Sequence, residues 1–157
     1  MSGDLDALAA APVLVVSSGV KSLLDVPATA ELLETLGVPV LGWRTDTLPL
    51  FYAASGGPPV SARVEDAAEA ARIAAAHWSL GGGGLLLGRP PVESVDDVEP
   101  LIEQALAKAG AEGIQGGAVT PFVLGVLHRE SGGRTLRANR VLIEDNARLA
   151  GEFAAAA

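Results

Sequence analysis

The stretch from Pro12 to Leu41, PVLVVSSGVKSLLDVPATAELLETLGVPVL, decides the fold. Val13 to Ser17 and Val38 to Leu41 are short β-branched or apolar runs bounded by glycine and proline, the pattern of strands buried on both faces. Between them Pro27 to Leu36 reads as a helix. Proline suits its first turn, where the missing N–H is unused anyway, and Gly37 supplies a stop where positive φ is cheap.

The same alternation continues outward. Val64 to Leu80 is alanine-rich, with Glu65, Asp66 and Glu69 near its start, where negative charge opposes the positive end of the helix dipole. Gly81 to Gly84 then forms a helix stop and turn leading into Leu85-Leu86-Leu87. The glycine run lacks the lysine and the serine or threonine of a phosphate-binding loop, and it precedes a strand. Asp96 to Ala109 is a further amphipathic helix. Thr120-Pro121 opens another by capping, and Gly132-Gly133 separates it from a last helix over about Leu136 to Ala155. No internal repeat is evident. Alternating helices and strands predict an α/β fold, a layered α/β/α sandwich with a mixed sheet.

Composition narrows the function classes. The 157 residues are 49% hydrophobic, enough to bury one sizeable core. A formal net charge of -8 and a pI near 4.6 argue against a nucleic-acid partner, because phosphate binding leans on clustered basic residues. With no cysteine, disulfides and thiolate metal sites are excluded, and His77 and His128 lie too far apart in sequence for a local metal pair. Asp4 and Asp6 replace a basic leader, and the apolar runs stop well short of about 18 residues, so no membrane partner and a cytoplasmic location are expected.

The chain contains two lysines, Lys21 and Lys108, and otherwise uses arginine for positive charge. Lys21 directly follows the first strand, and only an amine can lose its proton and attack a carbonyl carbon. Residue type and position together suggest an imine-forming lysine. Thr45 and Asp46 follow the second strand, where loops at the carboxyl ends of strands gather ligands. Trp43, Phe51, Tyr52 and Trp78 read as core or interface aromatics.

Several long blocks carry a family resemblance: DLDALA, the run from Pro12 to Tyr52, HWSLG, IEQALAKA, AVTPF and GGRTLRANRVLIEDNARLAGE. The chain resembles the C-terminal half of the pseudouridine-5'-phosphate glycosidases. The resemblance implies cleavage of a carbon–carbon glycosidic bond, giving uracil and ribose 5-phosphate in nucleoside catabolism. It implies a nucleophilic role for Lys21, substrate contacts from Ser2, Gly3 and Asp4, and a uracil contact from Asn139, with Asn146 the weaker candidate. It also implies a homotrimer and a divalent metal, manganese. The metal's aspartate would fall just before Met1, so an in-frame aspartate codon upstream is expected. The proton-transfer glutamate and a phosphate-binding lysine belong to the N-terminal half, which is the expected partner. Arg89 stands where an Asn-Pro element is common in the family, a departure that touches the local loop. Two other activities remain open here, a C-glycosynthase of the same family and an inactive fragment acting only in assembly.

Overall fold

Four parallel strands form the sheet of the computed structural model, which describes residues 4–21, 24–92, 94–95 and 98–157. They are β1 (Leu14–Ser17), β2 (Val40–Trp43), β3 (Ala62–Val64) and β4 (Leu85–Gly88), and they lie in the order β1-β4-β2-β3. The helices are α1 (Asp4–Ala9), α2 (Val26–Thr35), α3 (Ala67–Ser79), α4 (Val98–Ala111), α5 (Val119–Glu130) and α6 (Arg134–Ala156). The chain leaves β1, forms β2 and β3, and returns through α3 to place β4 between β1 and β2.

The three-leucine run Leu85-Leu86-Leu87 occupies the middle of the sheet because every residue of β4 is buried, as a strand covered on both faces requires. Side chains alternate across it with the period of two that a pleated strand imposes. Leu85, Leu87, Leu41 and Val64 pack with α3 and α6, whereas Leu86 and Val40 pack with α1 and α2. The result is a three-layer α/β/α arrangement. Tyr52, α4 and α5 build a separate apolar cluster beside it.

Caps set the helix starts. The Asp25 carboxylate accepts from the Ala28 N–H at 3.1 Å, and that of Asp66 accepts from Glu69 at 2.7 Å, each satisfying one of the orphan donors of a first turn. Gly81, at φ +81°, ends α3 as expected. A Cβ on Gly83 or Gly84 would overlap the backbone of Ala9 or Leu8, so these two glycines also let β4 enter close beneath α1.

The structure corrects three expectations. The sheet is wholly parallel among the described residues, and antiparallel pairing is confined to the isolated bridges Gly19–Leu50 and Thr47–Pro59. Val64 belongs to β3 and not to the following helix, because it pairs with Trp43 and is fully buried beneath α3. Thr120 does not cap α5: the helix starts at Val119, two residues before the expected first position at Pro121, after a short turn at Gly116–Ala118 and with no side-chain cap.

Strand β1 has a single described neighbour, β4, and leaves Val13 and Val15 about two-fifths exposed at 42% and 41%. An unpaired strand edge of this kind is a template for further pairing. No helix among the described residues is long and apolar enough to cross a membrane.

The central strand should dominate stability. Leu87→Ala, at a fully buried position, is expected to lower unfolding free energy by about 2–5 kcal/mol in urea titration. A loss under about 0.5 kcal/mol would mean that the core is not centred on β4.

Candidate active site

The carboxyl end of β1 continues as Ser17-Ser18-Gly19-Val20-Lys21. Gly19 turns the chain at φ +84°, its N–H donating to Ser17 Oγ at 3.1 Å. A Cβ there would overlap the Pro49 carbonyl oxygen, so glycine is required both for the angle and for the close approach. The flanking hydrogen bonds close a clamp: Val20 N–H donates to Pro49 O at 3.1 Å and Phe51 N–H to Ser18 O at 3.0 Å. Phe51 itself sits at φ +66°, a sparsely populated region for a bulky residue that costs of order 1–3 kcal/mol.

This clamp delivers Lys21. Its ammonium lies 5.2 Å from the centre of the Phe51 ring, within cation–π range. Phe51 meets Tyr52 edge to face at 4.8 Å, and both rings line a cleft of about 680 Å³, a size that accommodates a small phosphorylated metabolite. Arg134, Arg137, Val141 and Asp145 of α6 line its other side. Lys21 is not itself a lining residue; its ammonium lies over Phe51, which is.

Helix α6 meets the same loop. Asn146 donates from Nδ2 to the Oγ of the buried Ser18 at 3.0 Å, and its Oδ1 is buried with no hydrogen-bond partner among the described residues. A buried acceptor left unpaired costs about 1–3 kcal/mol. Beside it Asp145 pairs with Arg89 at 3.1 Å and with Arg148 at 3.2 Å.

The expected site residues separate into groups. Lys21 and Asn146 converge on the β1 loop. Asn139 is half-buried on α6, two turns before Asn146, whose side chain is the one hydrogen-bonded to Ser18. Thr45 and Asp46 are turned to structural use: Thr45 Oγ1 donates to Thr47 O at 3.1 Å, and Asp46 pairs with Arg63 of β3 at 3.1 Å, on the edge of the sheet opposite β1. Asp4 heads α1 and is exposed, while Ser2 and Gly3 lie outside the described residues. No group of three or more His, Cys, Asp or Glu side chains among the described residues could hold a metal ion. The aspartate that the resemblance implies as the metal's ligand lies outside these residues.

Sequence reasoning missed Phe51 as a cleft residue and missed the Arg89–Asp145 pair. The aromatic signal was visible but carried no hint of the positive φ that turns it toward Lys21.

Burial pushes the Tyr52 phenol above the ordinary tyrosine range, with the neighbouring Thr135 hydroxyl pulling weakly the other way. Thr135 is engaged with Ser131 at 3.0 Å, and nothing meets hydrogen-bond geometry at the Tyr52 hydroxyl among the described residues.

Residues 1–156 match the family model described as Indigoidine synthase A like protein. The chain is 49% identical to a pseudouridine-5'-phosphate glycosidase of Myxococcus xanthus (strain DK1622), over 99% of its own length and 53% of the relative's. It is 52% identical to a protein of the same name from Roseiflexus sp. (strain RS-1), over 99% and 51%. Among solved structures it is similar to a prealnumycin C-glycosynthase in complex with ribulose 5-phosphate, with TM-score 0.90 and 47% identity over 99% of this chain and 53% of that one. It also resembles an indigoidine synthase A-like protein of Thermotoga maritima, with TM-score 0.86 and 39% identity over 98% and 52%. The chain thus spans about half the length of the relatives it matches.

Two tests address the clamp and the buried phenol. Gly19→Ala should destabilise by more than about 1 kcal/mol in denaturant titration, whereas Gly151→Ala, in open space within α6, should stabilise by about 0.5–1 kcal/mol. Equal effects would remove the case for the clamp. For Tyr52, the folded state keeps its proton to higher pH than the unfolded chain does. Stability present below about pH 10 should therefore be lost as pH climbs through the raised folded value. Tyr52→Phe should abolish that alkaline loss with little change at neutral pH, as read by thermal unfolding against pH.

Proposed function

The chain belongs to the Indigoidine synthase A like protein family, and from that premise we propose that it forms the C-terminal part of a pseudouridine-5'-phosphate glycosidase. The complete enzyme would release uracil and ribose 5-phosphate, with Lys21 forming an imine at C1 of the opened ribose. A sugar-phosphate substrate is supported by the relatives' names and by the ribulose 5-phosphate bound to the C-glycosynthase.

The observation that carries this reading is the placement of the Lys21 amine. It sits on a clamped loop at the carboxyl end of β1, over Phe51 and beside the aromatic cleft, where α/β sheets assemble ligand sites. A carbon leaving group resists departure, and an amine on C1 supplies the electron pair that expels it. As the ribose ring opens, the bond from C1 to the ring oxygen breaks, that oxygen takes a proton, and the Lys21 amine forms a bond to C1. The nitrogen lone pair then forms the C1 imine as the carbon–carbon bond breaks, its electron pair leaving with the base carbon, which takes a proton; water adds to the imine and releases ribose 5-phosphate and the free amine.

Asn146 stands beside Asn139 as a candidate to meet the pyrimidine. Its carboxamide touches the Lys21 loop through Ser18, and its Oδ1 is a buried, unpaired acceptor of the kind an imide N–H satisfies. The N-terminal half present in the relatives would supply the acid, the phosphate contacts and the metal ligand, and a homotrimer belongs to the same proposal. The open edge of β1 is compatible with such a partner. A second reading, C–C bond formation onto an aromatic acceptor, is favoured by the similarity to the prealnumycin C-glycosynthase.

Co-expression with the N-terminal half of a glycosidase relative, with Mn²⁺ added, is expected to give uracil release from pseudouridine 5'-phosphate. The chain alone should give none. Lys21→Arg should lower the rate by at least about 10³-fold, since guanidinium cannot form the imine. Asn146→Ala should weaken substrate use by about 5- to 150-fold, the worth of one or two buried hydrogen bonds, and Asn139→Ala by less. Uracil release unaffected by Lys21→Arg would overturn the proposal. Absence of release together with coupling of ribose 5-phosphate to an aromatic acceptor would favour the synthase.

A further inference from the structure

The inward face of α6 carries a polar pair in mid-helix. Leu142 and Leu149 are each 3% exposed, and between them, at the spacing that keeps residues on one helix face, stand Asp145 and Asn146. Asp145 and Asn146 are consecutive, about 100° apart around the axis, so they address different strands. Asp145 pairs with Arg89 just beyond β4, and Asn146 meets Ser18 just beyond β1. The Arg89 backbone N–H donates to Ser17 O at 2.8 Å, which fixes it to the strand that carries Ser18.

We propose that Arg89 and Asp145 are positioning residues whose ion pair sets the register of α6 on the sheet, and thereby the Ser18–Asn146 hydrogen bond and the loop ending in Lys21. The functional consequence rests on the glycosidase reading above; the register claim does not.

Leucines alone would anchor α6 without fixing it, because apolar contact is non-directional and tolerates a slide or a small rotation. A salt bridge and a hydrogen bond, each to the end of one of two neighbouring strands, remove both freedoms. Stability is a poor reason for the pair. The side chains of Arg89 and Asp145 are only 16% and 10% exposed, and desolvating two such charges largely cancels their attraction, so that apolar replacements of similar volume are often neutral or better. Setting a register is the best-attested use of a buried polar contact. Arg148 adds a second contact to Asp145, but its side chain is 70% exposed and reaches no strand end.

The test removes the pair while keeping its volume. In the double variant Arg89→Met/Asp145→Leu, the thermal midpoint should be unchanged or raised. The side-chain NH₂ of Asn146, followed by ¹H–¹⁵N NMR, should lose its distinct shifts and exchange with solvent about tenfold faster, a coupling of the size found between contacting residues. Arg148→Ala should change neither. Should the double variant fail to fold, Arg89→Lys keeps the charge without the planar guanidinium that meets Asp145 and should show the same exchange increase in part. An Asn146 amide that stays protected in a folded variant overturns the register claim, whatever the reaction proves to be. In the reconstituted enzyme the double variant should lower kcat with a smaller change in KM. If the amide is released but kcat is unaffected, the link from register to Lys21 fails while the glycosidase reading stands.

Discussion

The backbone of Gly19 lies so close to the Pro49 carbonyl that a side chain there would overlap it. This one approach fixes where β1 ends, because the bridge from Gly19 to Leu50 and the hydrogen bonds on either side tie the strand's exit to the loop after β2. It also fixes Phe51 in a left-handed conformation, beneath the Lys21 ammonium. Strain at Phe51 persists only because the surrounding contacts over-determine it. Helix α6 then closes on the same point from the other side, through Asn146 and Ser18.

Much of this was legible in the chain. Alternating apolar runs and helical stretches give the α/β class, because periodicity reports burial directly. β3 was not legible. Its three residues, Ala62-Arg-Val, are too short to display a period, and the acidic residues that follow draw Val64 into the helix signal. The parallel arrangement of all four strands followed from a crossover order, β1-β4-β2-β3, that no local pattern encodes.

The candidate site was legible where one residue type carries the chemistry. Lys21 stood out because it is one of two lysines and follows a strand. Thr45 and Asp46 were expected near it by the rule that ligands gather at strand ends, but Asp46 finds Arg63 within reach on β3 and turns away. Asn139 and Asn146 share a helix face, and the sequence ranked Asn139 first on the resemblance alone, without the register of α6. That register depends on Asn146 meeting Ser18 across 128 residues of chain, and on the pairing of Arg89 with Asp145. Both are tertiary contacts with no local signature.

The most direct measurement is the mapping of the covalent adduct. Borohydride reduction of the reconstituted enzyme during turnover would convert an imine into a stable secondary amine, and peptide mass spectrometry would locate it. The account predicts a ribose-phosphate mass increment on Lys21 and none on Lys108, the chain's only other lysine. An active enzyme whose adduct lies on Lys108, or on the N-terminal half with Lys21 unmodified, would contradict it.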